Sequence, residues 1–315
     1  MRAARPTTQR ATLRNNFVAE VVTRQVLHAA SFGKGAPPRL RKLWLCADDY
    51  GISPGVNRAI RDLIARGRIN ATSVMVIAPS FLTAEASALC NAGGPDHHVA
   101  IGLHVTLTAP FRPAAANYQP TGRDGAFLSL TRTMASGLLH RLDPDALEAE
   151  AANQFVAFQQ AFGRVPDFVD GHQHVHLLPQ VSDALLAVMK QMAPGAWIRQ
   201  CGRTVPMRQR WRDPKGLLLE VLSARLRVRS AACGIRTNPA FAGTYNYMRA
   251  AAFEAVFGTF LQGLPDGGLV MCHPGFVDTE LQRLDKLTAM REQEYAFFAG
   301  ERFPAVLATY GMALA

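Results

Sequence analysis

Strand-like and helix-like segments alternate along this chain from about residue 43 to its C-terminus. The strand-like runs are short and apolar, as in LWLCA at 43–47, whereas the helix-like segments are longer and carry apolar residues at helical spacing. Strands separated by helices usually pair as parallel neighbours, with the helices packed outside the sheet. About seven or eight such units favour closure into a barrel. We therefore expect an α/β fold, an irregular (β/α) barrel of parallel strands with outer helices, built as a single domain over residues 41–315.

The pattern also predicts where each element lies. The predicted strands are residues 43–47, 73–78, 99–107, 168–176, 196–201, 241–244, 269–273 and 305–308. The predicted helices are residues 54–66, 81–89, 146–162, 181–192, 215–229, 251–261 and 285–298. Residues 108–142 form a connection that is longer than a plain linker should be.

The positive charge is concentrated in the first 42 residues. The whole chain has a net charge of +10, but residues 1–42 carry nine Arg and Lys against one Glu. The remainder is nearly neutral, which disfavours a nucleic-acid-binding surface on the folded body. We expect residues 1–40 to be a basic, disordered extension outside the fold. Its Arg-rich, acid-poor composition also resembles an organelle transit peptide.

No feature of the sequence indicates a membrane or an oxidising compartment. No apolar run approaches the length of a membrane span, and the extension lacks the continuous apolar segment of a secretory signal. The five cysteines show neither CxxC nor zinc-knuckle spacing, which favours a reducing environment. We therefore expect a cytoplasmic protein without membrane or nucleic-acid partners. A homo-oligomer is compatible with the sequence.

Acidic and histidine residues follow several of the predicted strands. Asp48 and Asp49 end the first strand, His104 lies near the end of the third, and His273 ends a later one. The run HQHVH at 172–176 ends the fourth. In βα folds the carboxyl ends of the strands meet at one face, where ligands bind. These residues are therefore expected to converge on one site.

Their chemistry fits a catalytic metal centre. Two histidines and one aspartate, with positions left open for water, describe a divalent-metal site that polarises a carbonyl and activates a water. A second, adjacent aspartate would act as general base, and a histidine on another strand would protonate the leaving group or bind the oxyanion. In an extended H-x-H-x-H run the three imidazoles would share one face. The residues predict metal-assisted hydrolysis of an amide or an ester.

Four ordered motifs resemble those of the YdjC-like carbohydrate deacetylases, a family that includes the chitooligosaccharide deacetylases. They are ADDYG at 47–51, GLHVTLT at 102–108, DGHQHVH at 170–176 and MCHPG at 271–275. The resemblance implies a barrel related to the polysaccharide deacetylases. It also implies that the substrate is an acetylated sugar or oligosaccharide, from which the N-acetyl group of an N-acetylglucosamine unit is released as acetate.

The same resemblance assigns roles to individual residues. Asp49, His104 and His172 correspond to the ligands of one divalent metal ion, Mg²⁺ or Zn²⁺. Asp48 corresponds to the general base and His273 to the acid or oxyanion donor, with the roles of Asp48 and Asp49 interchangeable at this stage. The residues expected around the ligands or facing the substrate are Asp170, His174, His176 and Arg199. Asp170 would orient His172, and Arg199 would hold sugar hydroxyls or the acetyl oxygen, or form a surface salt bridge.

Other functions remain open at this stage. A metal-dependent phosphoesterase on a similar barrel would bind two metals, and a glycosidase would use Asp48 and Asp49 without metal. The basic extension leaves a nucleic-acid or membrane-surface binder as a third alternative. Residues 202–236 depart from the family pattern, with nine Arg and Lys against two acids. That stretch would either favour an anionic substrate at the entrance or form a solvated helix.

Overall fold

A computed structural model describes residues 39–94, 98–203, 214–245 and 253–315. Almost all of the predicted extension over residues 1–40 lies outside the described residues, so its disorder stays a prediction. Leu40–Ala315 form one compact unit. No helix in the described part of the chain is long and apolar enough to cross a membrane.

The core of the fold is a sheet whose strands pair in parallel. The strands are β1 (Arg41–Tyr50), β2 (Ala71–Val74), β3 (Ala100–Val105), β4 (Phe168–Gly171), β5 (Trp197–Ile198), β6 (Phe241–Ala242), β7 (Gly268–Cys272) and β8 (Met312–Leu314). Their spatial order is β5-β4-β3-β2-β1-β7-β6, with β8 paired to β1. β1 is central, with Cys46 opposite both Ala71 of β2 and Met271 of β7. Its residues from Leu45 onward are buried, as expected for a parallel strand covered on both faces.

The two ends of the sheet meet and close an irregular barrel. Ile198 of β5 forms a parallel bridge with Thr237, and the Phe241 amide of β6 donates to the Gly202 carbonyl at 3.1 Å. The side chain of Asn238 accepts from the Gln200 amide at 2.8 Å in the same seam. Only short stretches pair here, so the closure is irregular. The predicted α/β barrel of parallel strands is confirmed.

Helices surround this sheet. They are α1 (Pro54–Ala65), α2 (Thr83–Ala92), α3 (Leu130–Leu138), α4 (Pro144–Phe162), α5 (Pro179–Met192), α6 (Pro214–Ala232), α7 (Phe253–Leu261), α8 (Thr279–Leu284), α9 (Ala289–Ala299) and α10 (Arg302–Thr309). α1 begins where the sequence indicates, because the Ser53 hydroxyl accepts from the Val56 amide and Pro54 occupies the first turn. Asp143 caps α4 in the same way.

Four predicted elements differ from the structure. Residues 168–176 are not one extended strand: β4 ends at Gly171, and a 3-10 helix, His172–Leu177, follows. Residues 305–308 lie inside α10, where Phe303 and Leu307 bury one helical face, and the last strand comes later as β8. The predicted helix over 285–298 begins only at Ala289, as α9, because residues 285–288 are not helical, and the connection over 108–142 contains α3. Apolar runs this short do not distinguish a strand from a helix turn.

Candidate metal centre

The predicted strand-end residues converge on one cavity of about 270 Å³ at the carboxyl ends of the strands. The sequence-predicted residues that line it are Asp48, Asp49, His104, His172, His174 and His273. Asp170, His176 and Arg199 are buried behind this lining. The parallel topology therefore assembles most of the predicted site from segments distant in sequence.

Asp49, His104 and His172 form a cluster that could hold a metal ion. One ligand atom from each residue lies within 4.8 Å of the others, and all three residues are buried. Asp49 Oδ1 is 3.3 Å from His104 Nε2 and 3.0 Å from His172 Nδ1. One carboxylate and two imidazoles, gathered with their ligand atoms facing one another, match the donor set of a catalytic zinc or of a harder divalent ion that retains water. The residues present therefore fit the predicted metal.

The backbone at Asp49 helps to place its carboxylate. Asp49 has φ of 69°, in the left-handed region that aspartate tolerates better than most residues. The register between β1 and β2 shifts between Ala47 and Tyr50, so the strand is irregular at the same point. Asp48 and Asp49 therefore project differently from two successive residues of a regular strand, and each meets its own set of partners.

His104 is oriented from behind by a carboxylate. Its Nδ1 lies 2.6 Å from Asp170 Oδ1 and 3.0 Å from Ser73 Oγ, which leaves Nε2 directed at Asp49. Burial alone would lower the pKa of His104, but the Asp170 charge and hydrogen bond raise it to about 10. Surroundings that retain a proton so strongly also favour a bound cation. The expectation that Asp170 orients His172 is wrong, because Asp170 contacts His104.

Asp49 has a second, cationic partner that the sequence did not indicate. Arg291 of α9 is fully buried and donates from Nη2 to Asp49 Oδ2 at 2.6 Å and to Asp285 Oδ2 at 2.7 Å. Burial would raise the pKa of Asp49, but Arg291 and the two histidines lower it well below its usual value. Asp49 is therefore ionised. Arg291 was missed because it lies outside the four motifs and 242 positions from Asp49.

Asp48 is held by a buried arginine. Arg199 donates from Nη1 to Asp48 Oδ2 at 2.6 Å and from Nη2 to Asp48 Oδ1 at 2.7 Å, and it pairs with Asp170 at 2.5 Å. This bidentate contact fixes the plane of the Asp48 carboxylate. Arg199 is 0 % exposed, so the expected contacts with sugar hydroxyls and the surface salt bridge are both wrong. Its burial instead makes it the positioning partner of Asp48.

A second acidic group does not make a second metal site. Ligand atoms of Cys46, Asp48 and Asp170 also lie within 4.8 Å of one another. The Arg199 guanidinium pairs with both carboxylates and lies 3.0 Å from Cys46 Sγ, so a positive charge already occupies this position. Among the described residues, this arrangement supports one metal site, rather than the two that the phosphoesterase alternative requires.

The three histidines of the 3-10 helix diverge. Gln173 and His174 have φ of 55° and 61°, which turns the chain away from the extended path. His172 reaches Asp49, His174 Nδ1 lies 3.6 Å from Cys201 Sγ, and His176 Nε2 lies 3.0 Å from the Arg199 carbonyl. Burial lowers the pKa of His176 to about 4, so this ring is neutral. The predicted shared face of the three imidazoles is therefore wrong.

His273 follows β7 and lines the cavity beside the acids. Its backbone amide donates to Glu294, which also accepts from the Tyr245 hydroxyl at 2.6 Å. Burial lowers the pKa of His273, which favours a neutral imidazole with one N–H to donate. Burial also raises the pKa of Glu294 to about 7, although both hydrogen bonds oppose this change. Glu294 was missed because no motif contains it.

Comparisons with known proteins show which family this chain belongs to. The sequence profile of the YdjC-like protein family matches residues 42–309. A chitooligosaccharide deacetylase of Serratia marcescens is 27% identical over 268 residues, covering 77% of this chain and 89% of the relative. A human carbohydrate deacetylase is 31% identical over 147 residues, covering 46% of this chain and 43% of the relative.

One solved structure with a similar fold is a protein of Enterococcus faecalis, which is named for a suspected cleavage of cellobiose phosphate. It has a TM-score of 0.65 and 19% sequence identity to this chain. The match covers 88% of this chain and 97% of that one. This likeness supports the barrel fold described above. The family expected from the four motifs is confirmed by the profile match, which spans most of the chain: the protein belongs to the YdjC-like protein family.

Proposed function

We propose that this protein is a metal-dependent carbohydrate deacetylase that hydrolyses the acetamide of an N-acetylated amino sugar. The observation that carries the proposal is the meeting of Asp49, His104 and His172 with a second aspartate and a further histidine in one cavity. The names of the two relatives support a carbohydrate as substrate. Among the described residues, the presence of Arg199 between Asp48 and Asp170 leaves one candidate metal site, which favours the deacetylase over a two-metal phosphoesterase.

Asp49, His104 and His172 would hold one divalent ion, Mg²⁺ or Zn²⁺. When bound, such an ion acts as a Lewis acid on the acetamide carbonyl and lowers the pKa of water. Arg291 keeps Asp49 ionised, and Asp170 directs His104 Nε2 toward it. These neighbours arrange the donor atoms before any ligand arrives, which reduces the reorganisation that binding requires.

Asp48 would be the general base. It lines the cavity, and Arg199 holds both of its oxygens in a fixed plane. Asp48 removes one proton from water as the water oxygen bonds to the acetamide carbon. Asp48 then returns this proton to the leaving nitrogen as the C–N bond breaks, which gives acetic acid and a free amine. The acetic acid loses its carboxyl proton to solvent and leaves as acetate. The interchange of Asp48 and Asp49 is disfavoured because Asp49 alone contacts both histidines.

His273 would stabilise the oxyanion. Its neutral imidazole lines the same cavity and can donate one N–H to the carbonyl oxygen as negative charge develops there. The backbone hydrogen bond to Glu294 fixes the chain at this residue. Removing one such donor typically lowers the catalytic rate by about a hundredfold to a thousandfold.

The test is acetate release from N-acetylglucosamine and its short oligomers, with and without chelator. The native chain is compared with Asp49→Asn and His172→Ala, and with Asp124→Asn, an exposed acid outside the cavity, as control. We expect metal-dependent release that both site variants lose and the control retains. Release that resists chelator and survives both site substitutions would overturn the mechanism.

A further inference from the structure

The cavity at the metal centre is polar on one side and apolar on another. The acids and histidines of the strand ends form the polar side. The apolar side, called here the leucine wall, consists of Leu218, Leu219 and Leu222 of α6 with Leu130 and Met134 of α3. Both α3 and α6 lie outside the four sequence motifs, so the leucine wall belongs to the part of the chain that the motifs do not cover.

The three arginines of α6 point elsewhere. Arg225 and Arg229 pair with Asp183 of α5, and Arg227 donates to the Gln200 side chain at 2.9 Å. Leu218 and Leu222 are one helical turn apart and therefore share the face that meets the cavity. Among the described residues, no Lys or Arg lines the cavity. The described part of the 202–236 stretch thus gives no support to an anionic substrate.

An oligosaccharide is poorly matched to this surface. Every sugar ring carries hydroxyl groups, and a hydroxyl moved from water to a leucine side chain loses its hydrogen bonds without replacement. An apolar group in the same place gains from leaving water. The volume of about 270 Å³ also lies near the lower limit of ligand cavities, which suits one sugar ring and part of one substituent.

We propose that the amino sugar deacetylated here carries an apolar aglycone that packs against the leucine wall. This inference rests on the proposed function, because it takes the acetamide to lie at the metal centre. The substrate class is then a lipid-like glycoside of an N-acetylated amino sugar, with the sugar at the strand ends and its alcohol component between α3 and α6. The reaction that supplies such a substrate must attach the sugar to an apolar alcohol.

The test compares kcat/KM for acetate release from the methyl, butyl and hexyl glycosides of N-acetylglucosamine, all below their micelle concentrations, and from N,N′-diacetylchitobiose. We expect kcat/KM for the hexyl glycoside to be about tenfold or more above that for the methyl glycoside, because an apolar pocket recognises added methylenes. The kcat/KM for N,N′-diacetylchitobiose should not exceed that for the methyl glycoside. A methyl glucosaminide with an N-hexanoyl group tests whether the wall holds a longer acyl chain instead.

Variants of α6 test whether the leucine wall causes the preference for the hexyl glycoside. Leu218→Gln with Leu219→Gln should lower the hexyl-to-methyl ratio about tenfold. Both leucines are half-buried, and the single variant Leu218→Gln serves if the double variant does not fold. Val221→Gln is the matched control, because Val221 lies on the same helix, is 57% exposed and does not line the cavity. That control should keep the native ratio.

The outcomes separate the two proposals. Equal rates for methyl and hexyl glycosides, or a preference for chitobiose, would overturn the apolar aglycone and leave the deacetylase intact. Faster hydrolysis of the N-hexanoyl amide than of the acetamide would also overturn it, because the wall would then hold the acyl chain. Failure to release acetate from any of these sugars would overturn the proposed function and, with it, this inference.

Discussion

At the scale of single residues, the site depends on buried charges that neutralise one another. Asp48, Asp49 and Asp170 are each at most 2 % exposed, and Arg199 and Arg291 are fully buried beside them. A buried carboxylate without such a partner would be strongly unfavourable. The two arginines therefore place a compensating positive charge beside the acids that serve the proposed chemistry.

Arg199→Met should destabilise the protein by about 3–5 kcal/mol, because it leaves Asp48 and Asp170 buried without their cation. Arg199→Lys keeps the charge but cannot form the two parallel hydrogen bonds that the guanidinium makes with the Asp48 carboxylate. We expect this variant to fold and to lose kcat, with KM little changed, since the base loses its orientation. Urea unfolding and steady-state acetate release measure the two effects.

Arg302→Lys is the control for this comparison. Arg302 pairs with Glu254 on the surface, where an ion pair contributes at most about 1 kcal/mol, and the lysine retains the charge. Its unfolding and its kcat should match those of the native protein. A native kcat in Arg199→Lys would show that the bidentate contact does not position the base.

The raised pKa of Glu294 predicts that the stability of the fold depends on pH. Its pKa in the fold is about 7, raised mainly by burial, whereas an unfolded Glu titrates near its ordinary value. The unfolded state therefore releases its proton first. Stability is unaffected below pH ~4.5, falls as the pH rises through the interval to about 7, and is then lower by up to about 3 kcal/mol.

Glu294→Gln removes this ionisation while keeping an amide that can bond the His273 amide and Tyr245. The native protein should lose more stability than Glu294→Gln between pH 5 and pH 8, as measured by urea unfolding under identical metal conditions. The difference between the two proteins isolates Glu294 from other titrating groups. Parallel pH profiles would contradict the raised pKa.

At the scale of elements, the 3-10 helix after β4 is where sequence reasoning failed most clearly. Nothing in HQHVH marks a left-handed turn, because the residues that adopt it, Gln173 and His174, are not glycine. The sequence was equally consistent with an extended strand that buries its alternate histidines. The turn forms because His172 is held at Asp49 while His176 is held at the Arg199 carbonyl. Such tertiary contacts leave no local signal.

Gln173 offers a test of that turn. Gln173 is exposed and has φ of 55°, so a β-branched residue there is strained. Gln173→Val should destabilise the fold by about 1–3 kcal/mol, whereas Gln173→Gly should stay within about 1 kcal/mol of the native protein. Gln282→Val, at an exposed position of α8, controls for the ordinary propensity of valine. Thermal unfolding distinguishes them, and equal losses at Gln173 and Gln282 would contradict the strained turn.

At the scale of the whole molecule, the sequence predicted the convergence of the site better than its details. The apolar runs that end in Asp48–Asp49, His104 and His273 were enough to predict this convergence, because parallel topology brings the carboxyl ends of strands together. The partners of these residues could not be predicted: Arg199 is 151 positions from Asp48, and Arg291 lies on a helix with no motif. The leucine wall was likewise hidden, since α6 also carries arginines that are more conspicuous in the sequence.

The wide separation of the ligands predicts that metal binding and folding are coupled. Asp49, His104 and His172 come from β1, β3 and the segment after β4, so their atoms meet only when the barrel is formed. An ion that binds the folded state alone stabilises it by about 2.7 kcal/mol at one hundred times its dissociation constant. We therefore expect Zn²⁺ or Mg²⁺ to raise the unfolding temperature, and chelator to reverse the change.

One ion per chain should bind, as counted by titration calorimetry or native mass spectrometry. Asp49→Asn should lose both the ion and the thermal shift, because the carboxylate is the one ligand that contacts both histidines. Asp124→Asn should retain both, since its carboxylate lies outside the cavity. Binding of two ions would favour the phosphoesterase alternative, because the position between Asp48 and Asp170 would then have to exchange Arg199 for metal. A thermal shift that survives in Asp49→Asn would place the ion elsewhere and contradict the proposed centre.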